Sequence, residues 1–367
     1  MLRFAEPETV EATSVAPFIY PMNGAYPLYP ADEVISITYD QAMTVPSVAR
    51  ARNAITTAIS NLPLLKFASD GTQLPASGWQ VQPDELAPRP YTIAWTVSDL
   101  IFYPFAYWQI TRQYSDGFPA NFQRIDPVRV TWQTNNTNTV ITQFFVDGQA
   151  VPQEGVGSLI VFPSADGGVL ARAGRTLRTA IALERAAYNS ATDPTPVGII
   201  KNSGFELGDD EVVSLLAQWK QARQQKATAY LNPHLDYEAV GFDPKSLQLT
   251  EARQYIAGEI ARLMNVPASI VGADTGDSMT YSNAQDYRRD LRDYCLKNYV
   301  GIIEHRLSAK DVTPQGQYIR FGFTEYLRGS DLERVQVITQ LLQAGVITVD
   351  EARQFEDLVP KVGGANV

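Results

Sequence analysis

The chain has one cysteine, Cys295, and two histidines, His234 and His305, among 367 residues. No disulfide can form within it, which fits a reducing compartment. Zinc sites made from several cysteines of one chain are excluded, and a histidine-rich metal site would need other ligands. The dipeptide Gly-Lys is missing, so there is no P-loop, and there is no HExxH. Neither histidine lies beside a nucleophile motif such as GxSxG: His234 follows a turn proline and His305 ends a charged helical pattern. Long apolar runs are missing too. The most apolar, Leu100 to Trp108, has nine residues and contains Pro104, too short to span a membrane. The opening MLRFAEPETVEATS has no apolar run and carries three glutamates, so it does not read as a signal peptide. Positive charge is in deficit, with 30 Lys and Arg against 40 Asp and Glu and a net charge of −10. Phosphate contacts need lysine and arginine, so tight nucleic-acid binding is disfavoured. These patterns give no positive evidence for an enzyme.

What is present is a folded composition, 45% hydrophobic and 19% charged, long enough for two or more structural units. Residues 1–46 are proline-rich and read as an extended arm. Ser47 opens a helix with Val48, Ala51, Ile55, Ile59 and Leu62 on one face, closed by Pro63. A polar, proline-bearing linker is expected to about residue 91. From 92 to 163 the chain is β-rich: an aromatic helix or strand (TIAWTVSDLIFYPFAYWQI), then FQRIDPVRVTWQ, a TNNTNT turn, VITQFFVDGQAV and SLIVFP, with Asp147-Gly148 as a hairpin turn. Aromatics can stack bases, but no basic residue is interleaved before Arg112, and core packing is the favoured use.

Residues 170–192 read as one helix carrying Arg172, Arg175 and Arg178 on one drifting face. That face either meets phosphates or a partner subunit or is simply solvated; the sequence leaves both open. Before it, SADGG (Ser164 to Gly168) joins a strand to a helix, where phosphate loops often sit, without a dinucleotide fingerprint. Residues 195–242 read as an inserted module: a strand (PVGIIKN), a helix (DDEVVSLLAQWKQARQQK), and strands ATAYL and LDYEAV joined at Asn232-Pro233. The helix has acids at its start and Lys220, Arg223 and Lys226 at its end, matching its macrodipole, with Val212, Leu215, Leu216 and Trp219 as the expected buried face. Residues 246–265 give another helix, with Ile256, Ile260, Leu263 and Met264 on one face and Gly258 suggesting a close neighbour.

Then comes RLMNVPASIVGADTGDSMTYSN, residues 262–283. The helical pattern stops at Val266-Pro267. Small residues, glycines and two aspartates follow, with no lysine or arginine after Arg262. Asp274 and Asp277 could form a carboxylate pair or cation site, but without supporting ligands a solvated acidic surface is the favoured reading. Ser282 and Gln285 fit a capping box that opens a helix to about Leu307, about 40 Å long at 1.5 Å per residue. After a strand (QYIRFGF), Ser330 with Glu333 and Thr348 with Glu351 open two terminal helices, with Gly345 as the stop between them.

This order resembles the portal proteins of tailed bacteriophages, in the long-tailed branch, from about residue 40 to 358. The most specific part is GEIARLMNVPASIVG…MTYSNAQDYRRDLRDYCLKNYVGIIEHRLS, residues 258–308, with Val266-Pro267 and Thr280-Tyr281-Ser282-Asn283. SVARARNAITTAISNLPL, FQRIDPVRV and AGVITVDEAR match more weakly. The resemblance implies an α+β portal fold: N-terminal arm and β-rich wing (1–169), two stem helices (170–192 and 243–265) flanking a small clip (193–242), a tunnel loop (266–281), a long helix and wing return (282–330) and a short helical crown (331–367). It also implies a homo-oligomeric ring, usually of twelve subunits, at one capsid vertex of the virion, assembled in the host cytoplasm. Double-stranded DNA would pass through it non-specifically during packaging and ejection. The terminase motor, the head-tail adaptor and the major capsid protein would be its partners, with no membrane, cofactor or metal. On this reading Gly272, Asp274, Thr275, Gly276, Asp277, Ser278 and Met279 form the channel loop. Arg172, Arg175 and Arg178 belong to the stem or a subunit contact, and Trp219, Lys220 and Arg223 to the clip's partner contacts. Rival readings are another ring-forming head-tail connector component, against which the paired helices around an inserted module argue, and a metal-dependent hydrolase using the loop aspartates.

Overall fold

A computed structural model of the chain describes residues 37–135, 140–192, 198–204, 207–224, 234–239, 249–273, 288–323, 326 and 331–355. The body is built around one antiparallel sheet with a helical layer on one face and a second small sheet on the other. Helix α1 (Tyr39–Met43) is fixed by a Thr38–Gln41 capping box, so the stretch expected to be extended up to residue 46 is helical from Tyr39. Helix α2 (Pro46–Ser60) buries Val48, Ala51, Ile55 and Ile59, the face its 3.6-residue period marks, with Leu62 buried just beyond it.

The expected linker contains structure. Strand β1 (Leu64–Ala68) and strand β2 (Gln73–Leu74) pair antiparallel, and a short helix α3 (Gly78–Val81) follows. β1 also pairs with β11 (Gln317–Phe321), Leu64 opposite Phe321 and Ala68 opposite Gln317. The approach is tight at Gly322, where a Cβ would lie 3.0 Å from the Pro63 ring and 3.1 Å from Leu65.

The aromatic segment is both helix and strand. Helix α4 (Arg89–Phe102) ends at Tyr103, and Pro104 separates it from strand β3 (Phe105–Gln113). β3 is the centre of a sheet ordered β4 (Pro119–Ile125), β3, β8 (Leu159–Pro163). Alternation splits its side chains between two cores. Ala106, Trp108 and Ile110 join the main core under α2 and α4, while Phe105 and Tyr107 face the second sheet, β5 (Val130–Thr134), β6 (Ile141–Val146) and β7 (Gln149–Ala150). Both faces are covered, so the strand reads as one continuous apolar run. The Asp147-Gly148 hairpin is present, both residues with positive φ (51° and 79°) as a type I′ turn demands. Residues 136–139 of the expected TNNTNT turn lie outside the described residues.

Residues 170–192 are two helices rather than one. α5 (Val169–Arg172) stops where Ala173 leaves helical geometry (φ −115°, ψ 21°) beside Gly174, and α6 (Gly174–Thr192) continues. The inserted module has strand β9 (Gly198–Asn202) paired antiparallel with β10 (Leu235–Ala239), and helix α7 (Asp209–Gln224) between them in sequence; ATAYL and Asn232-Pro233 lie outside the described residues. Helix α8 (Leu249–Leu263) packs against α6 and buries Ile260 and Ala261. Its Gly258 has no close neighbour among the described residues: a Cβ there would meet only the Arg262 guanidinium, at 3.9 Å.

The helix expected from 282 is described from residue 288, and it is not uniform. Leu291–Leu296 widens into a π-turn before helix α9 (Lys297–Leu307). α9 is tied to β11 by Glu304 Oε1, which accepts from Phe321 N at 2.6 Å, and by Ser308 Oγ, which accepts from Ile319 N at 2.8 Å. Helix α10 (Asp331–Gln343), Gly345 in the left-handed region (φ 69°) and helix α11 (Val349–Phe355) close the chain, α11 with its Thr348–Glu351 capping box in place. Ser282, Gln285 and Ser330 lie outside the described residues.

Candidate functional site

The sequence places its most specific stretch after α8, and the exit from that helix is closely determined. Asn265 takes φ 54°, Val266 N donates to Ala261 O at 2.9 Å, and Asn265 N donates to Arg262 O at 3.2 Å. These two bonds form a Schellman motif, and both Val266 and Ala261 are buried. Pro267 prevents the helix from resuming. A 3₁₀ turn, Ala268–Val271, follows, and Gly272 (φ 74°) ends it. Arg50 Nε on α2 donates to Ile270 O at 3.3 Å and holds this turn to the body. Gly272 therefore sits at the foot of the expected channel loop. Asp274, Thr275, Gly276, Asp277, Ser278 and Met279 lie outside the described residues.

The chain is described again from residue 288, and residues 294 and 295 lie against the end of α8. Asn265 Nδ2 donates to Tyr294 O in the π-turn, and the Cys295 thiol donates to Met264 O at 3.6 Å. Met264, Leu291, Cys295 and Leu296 are all buried in the main core. Burial pushes the Cys295 thiol up to about 12, so it is an inert thiol in the folded chain. Outside the core, Arg292 and Lys297 both pair with Asp293, at 2.7 Å each, and hold its carboxyl well below the usual carboxylate range.

Arg172, Arg175 and Arg178 are exposed on the face of α5 and α6 away from buried Ala173, Leu177 and Ala180. Arg172 reaches Asp166 at 3.3 Å. The SADGG turn is a packing turn: Gly168 (φ 86°) lies so close to the Phe102 carbonyl that a Cβ would sit 2.5 Å from its oxygen. On α7 the expected buried face is open instead. Val212, Val213 and Leu216 are 38%, 67% and 53% exposed, while Leu215 and Trp219 are half-buried. The helical period groups these residues, but Val212, Val213 and Leu216 stay exposed among the described residues. Lys220 and Arg223 lie further along α7, their side chains outside the described residues.

The two histidines are apart. His234 precedes β10, its carbonyl accepting from Ser203 N at 2.8 Å. His305 lines a cavity of about 970 Å³ between β3, β6 and the end of α9, beside Arg306, whose guanidinium is held by Asp311 at 2.6 Å and 2.9 Å. Among the described residues no three His, Cys, Asp or Glu side chains are grouped to hold a metal. Two features escaped the sequence reading. The Schellman motif was signalled by Asn265 just past the helix and ahead of a proline. The buried Asp99–Arg124 pair, 2.6 Å apart, had no signal, because its partners come from different elements.

Residues 46–357 match the family described as phage portal protein. The chain belongs to that family. Curated relatives of this portal-family chain include the probable portal protein of Streptomyces phage phiC31, 23% identical over 194 residues, 50% of this chain and 42% of that one. The portal protein of Enterobacteria phage HK97 is 23% identical over 131 residues, 34% of this chain and 30% of that one. The chain spans less than half the length of each of these curated relatives. The crystal structure of an HK97-family phage portal protein from Corynebacterium diphtheriae superposes with a TM-score of 0.65 at 26% identity, covering 79% of this chain and 97% of that one. A chain of the neck of an empty GTA particle gives 0.56 at 16% identity, covering 90% and 95%, a likeness of fold. The portal chain therefore has an α+β portal fold, as its helices and sheets arranged around β3 indicate.

Proposed function

We propose that this chain is the subunit of a portal ring at one vertex of a phage capsid, through which DNA enters on packaging and leaves on ejection. The family match across residues 46–357, joined to the superposition on a portal crystal structure, carries the reading. A related fold in the neck of a particle computed with C12 symmetry favours a twelvefold ring. In the ring, α6 and α8 serve as the stem, the β9–α7–β10 module as the clip, segment 266–281 as the tunnel loop and α10 with α11 as the crown. The wing comprises the sheets around β3 and the helix running into α9. The clip is the docking point for the packaging motor and then the head-tail adaptor, and the wing meets the capsid shell. The role is structural, with ATP hydrolysis left to the motor.

Two physical features support it. Apolar side chains stand exposed on the single chain, Val213 and Leu216 on α7 and Val335 and Val337 on α10, as expected of surfaces covered by neighbouring copies. The chain is also anionic, −10 per copy, so a dodecamer carries about −120 and does not adhere strongly to a polyanion. Negative-stain microscopy of the purified protein tests the reading. Rings of about a dozen copies with a central hole are the expected result; a population of monomers, or of closed particles without a hole, overturns it.

A further inference from the structure

We propose that Asn265 is a positioning residue: its carboxamide clamps the π-turn Leu291–Leu296 to the end of α8 and so fixes where segment 266–290 leaves and rejoins the body. The inference rests on the channel-loop reading for its importance, but the clamp is a property of the single chain.

Three observations carry it. First, a π-turn shifts the helical carbonyl ladder, so a carbonyl there is open to a donor from outside the helix. Asn265 Nδ2 supplies such a donor to Tyr294 O. Second, Asn265 can reach across only because it occupies the left-handed position of the Schellman motif, at φ 54°. Asparagine tolerates that region better than other side chains, and it alone combines this tolerance with a carboxamide donor at that reach. Third, the contact is doubled one residue along on each strand of chain: the Cys295 thiol donates to Met264 O at 3.6 Å, and both residues are buried. The two bonds join residues 29 and 31 apart in sequence, closing the base of everything between them. Arg50, bonded to Ile270 O, braces the outgoing side.

The placement makes a direct test available. Cys295 is the chain's one cysteine and is 1% exposed, so a maleimide reaches it only when the clamp region opens. Asn265→Gly keeps the left-handed backbone at no steric cost and removes the carboxamide. Asn265→Ala removes both. With the full-length protein under native conditions, N265G should label about three- to tenfold faster than the unchanged chain, the range one lost hydrogen bond allows. N265A should label faster still. Hydrogen exchange should rise at residues 262–266 and 291–296 and not in β5 or β6, which pack on the second core. As a control, Ile125→Val weakens the separate core between the two sheets and should leave the Cys295 rate unchanged. An N265G rate at or below that of the unchanged chain overturns the proposal, because it would mean that only the backbone conformation matters. I125V matching N265G also overturns it, since Cys295 would then be reached by global unfolding. No DNA and no ring are involved, so failure here leaves the portal reading standing, and failure of the ring micrograph leaves this result standing.

Discussion

Arg124 holds Asp99 in a two-pronged grip, Nε donating to Oδ2 at 2.7 Å and Nη2 to Oδ1 at 2.6 Å, with its guanidinium carbon 4.7 Å from the centre of the Trp95 ring. Asp99 is 2% exposed, and burial pushes its carboxyl up to about 7 from an ordinary 3.8 in spite of the guanidinium. The folded chain therefore binds this proton more tightly than the unfolded chain does. Its contribution to stability is full below about pH 4 and lost as pH rises through 7. Relative to Asp99→Asn, the unchanged chain should lose ground in urea melts between pH 4 and pH 8. Arg124→Met removes the guanidinium that grips this carboxylate, so its penalty should be about 3–5 kcal/mol at pH 8 and clearly smaller at pH 5. A penalty independent of pH would mean that the carboxyl is not titrating in this range.

A second buried contact links α4 to β3. Trp108 Nε1 donates to Thr96 Oγ1 at 2.7 Å, and Thr96 Oγ1 donates to Thr92 O at 2.7 Å, with both Trp108 and Thr96 at 0% exposure. Thr96→Val keeps the shape and strands the indole N–H, which should cost about 1–3 kcal/mol. In a Trp108→Phe background the same change should cost much less, because the orphaned donor is gone. Chemical denaturation of the four chains of this cycle measures it, and equal costs in both backgrounds reject the contact as the cause.

The parts of this fold legible in the sequence are those whose pattern is local. The α2 face was readable because Val48, Ala51, Ile55 and Ile59 recur at helical spacing and are all buried. The Asp147-Gly148 turn was readable because its geometry needs those residue types. β1 was not readable: five residues after Pro63 carry no period, and the strand exists because β11, about 250 positions away, pairs with it. α4 and β3 merged into one aromatic run because a strand covered on both faces loses its alternation. On α7, spacing identified which residues share a face but not what covers them, so Val212 and Leu216 were expected inside and lie outside. At the candidate site, the glycine turn at Gly272 and the exposed arginine face could be read, whereas the clamp on the π-turn depends on two helices meeting.

The exposed faces give an assembly prediction. Val213 is 67% exposed, so Val213→Asp should leave the stability of the single chain within about 0.5 kcal/mol. If α7 is covered by a neighbour in the ring, the same change buries an unpaired charge there and should shift native mass spectra from rings to small species. Arg175→Glu should do the same if the basic face of α6 meets acids of the next copy. Intact rings from either variant remove that face from the subunit contact.

A conduit for duplex DNA works only if the duplex is not held, and each lysine or arginine that meets a phosphate adds salt-sensitive affinity as counterions are released. Between Ala273 and Arg288 the sequence has Asp274, Asp277 and Asp286 and no lysine or arginine. Changing Asp274 and Asp277 to lysine swings each copy by about four charges, and in the proposed ring every copy adds the same swing. Rings should still form, the change acting on DNA alone. DNA retention by purified rings should rise and fall off steeply as salt is raised, and packaging yield in an assembly extract should drop. Raising salt during packaging should recover part of the yield, because screening weakens the new contacts while leaving the ring intact. Normal packaging at low salt together with tight DNA retention would show that adhesion at this loop does not limit passage, and the acidic composition would then need another cause.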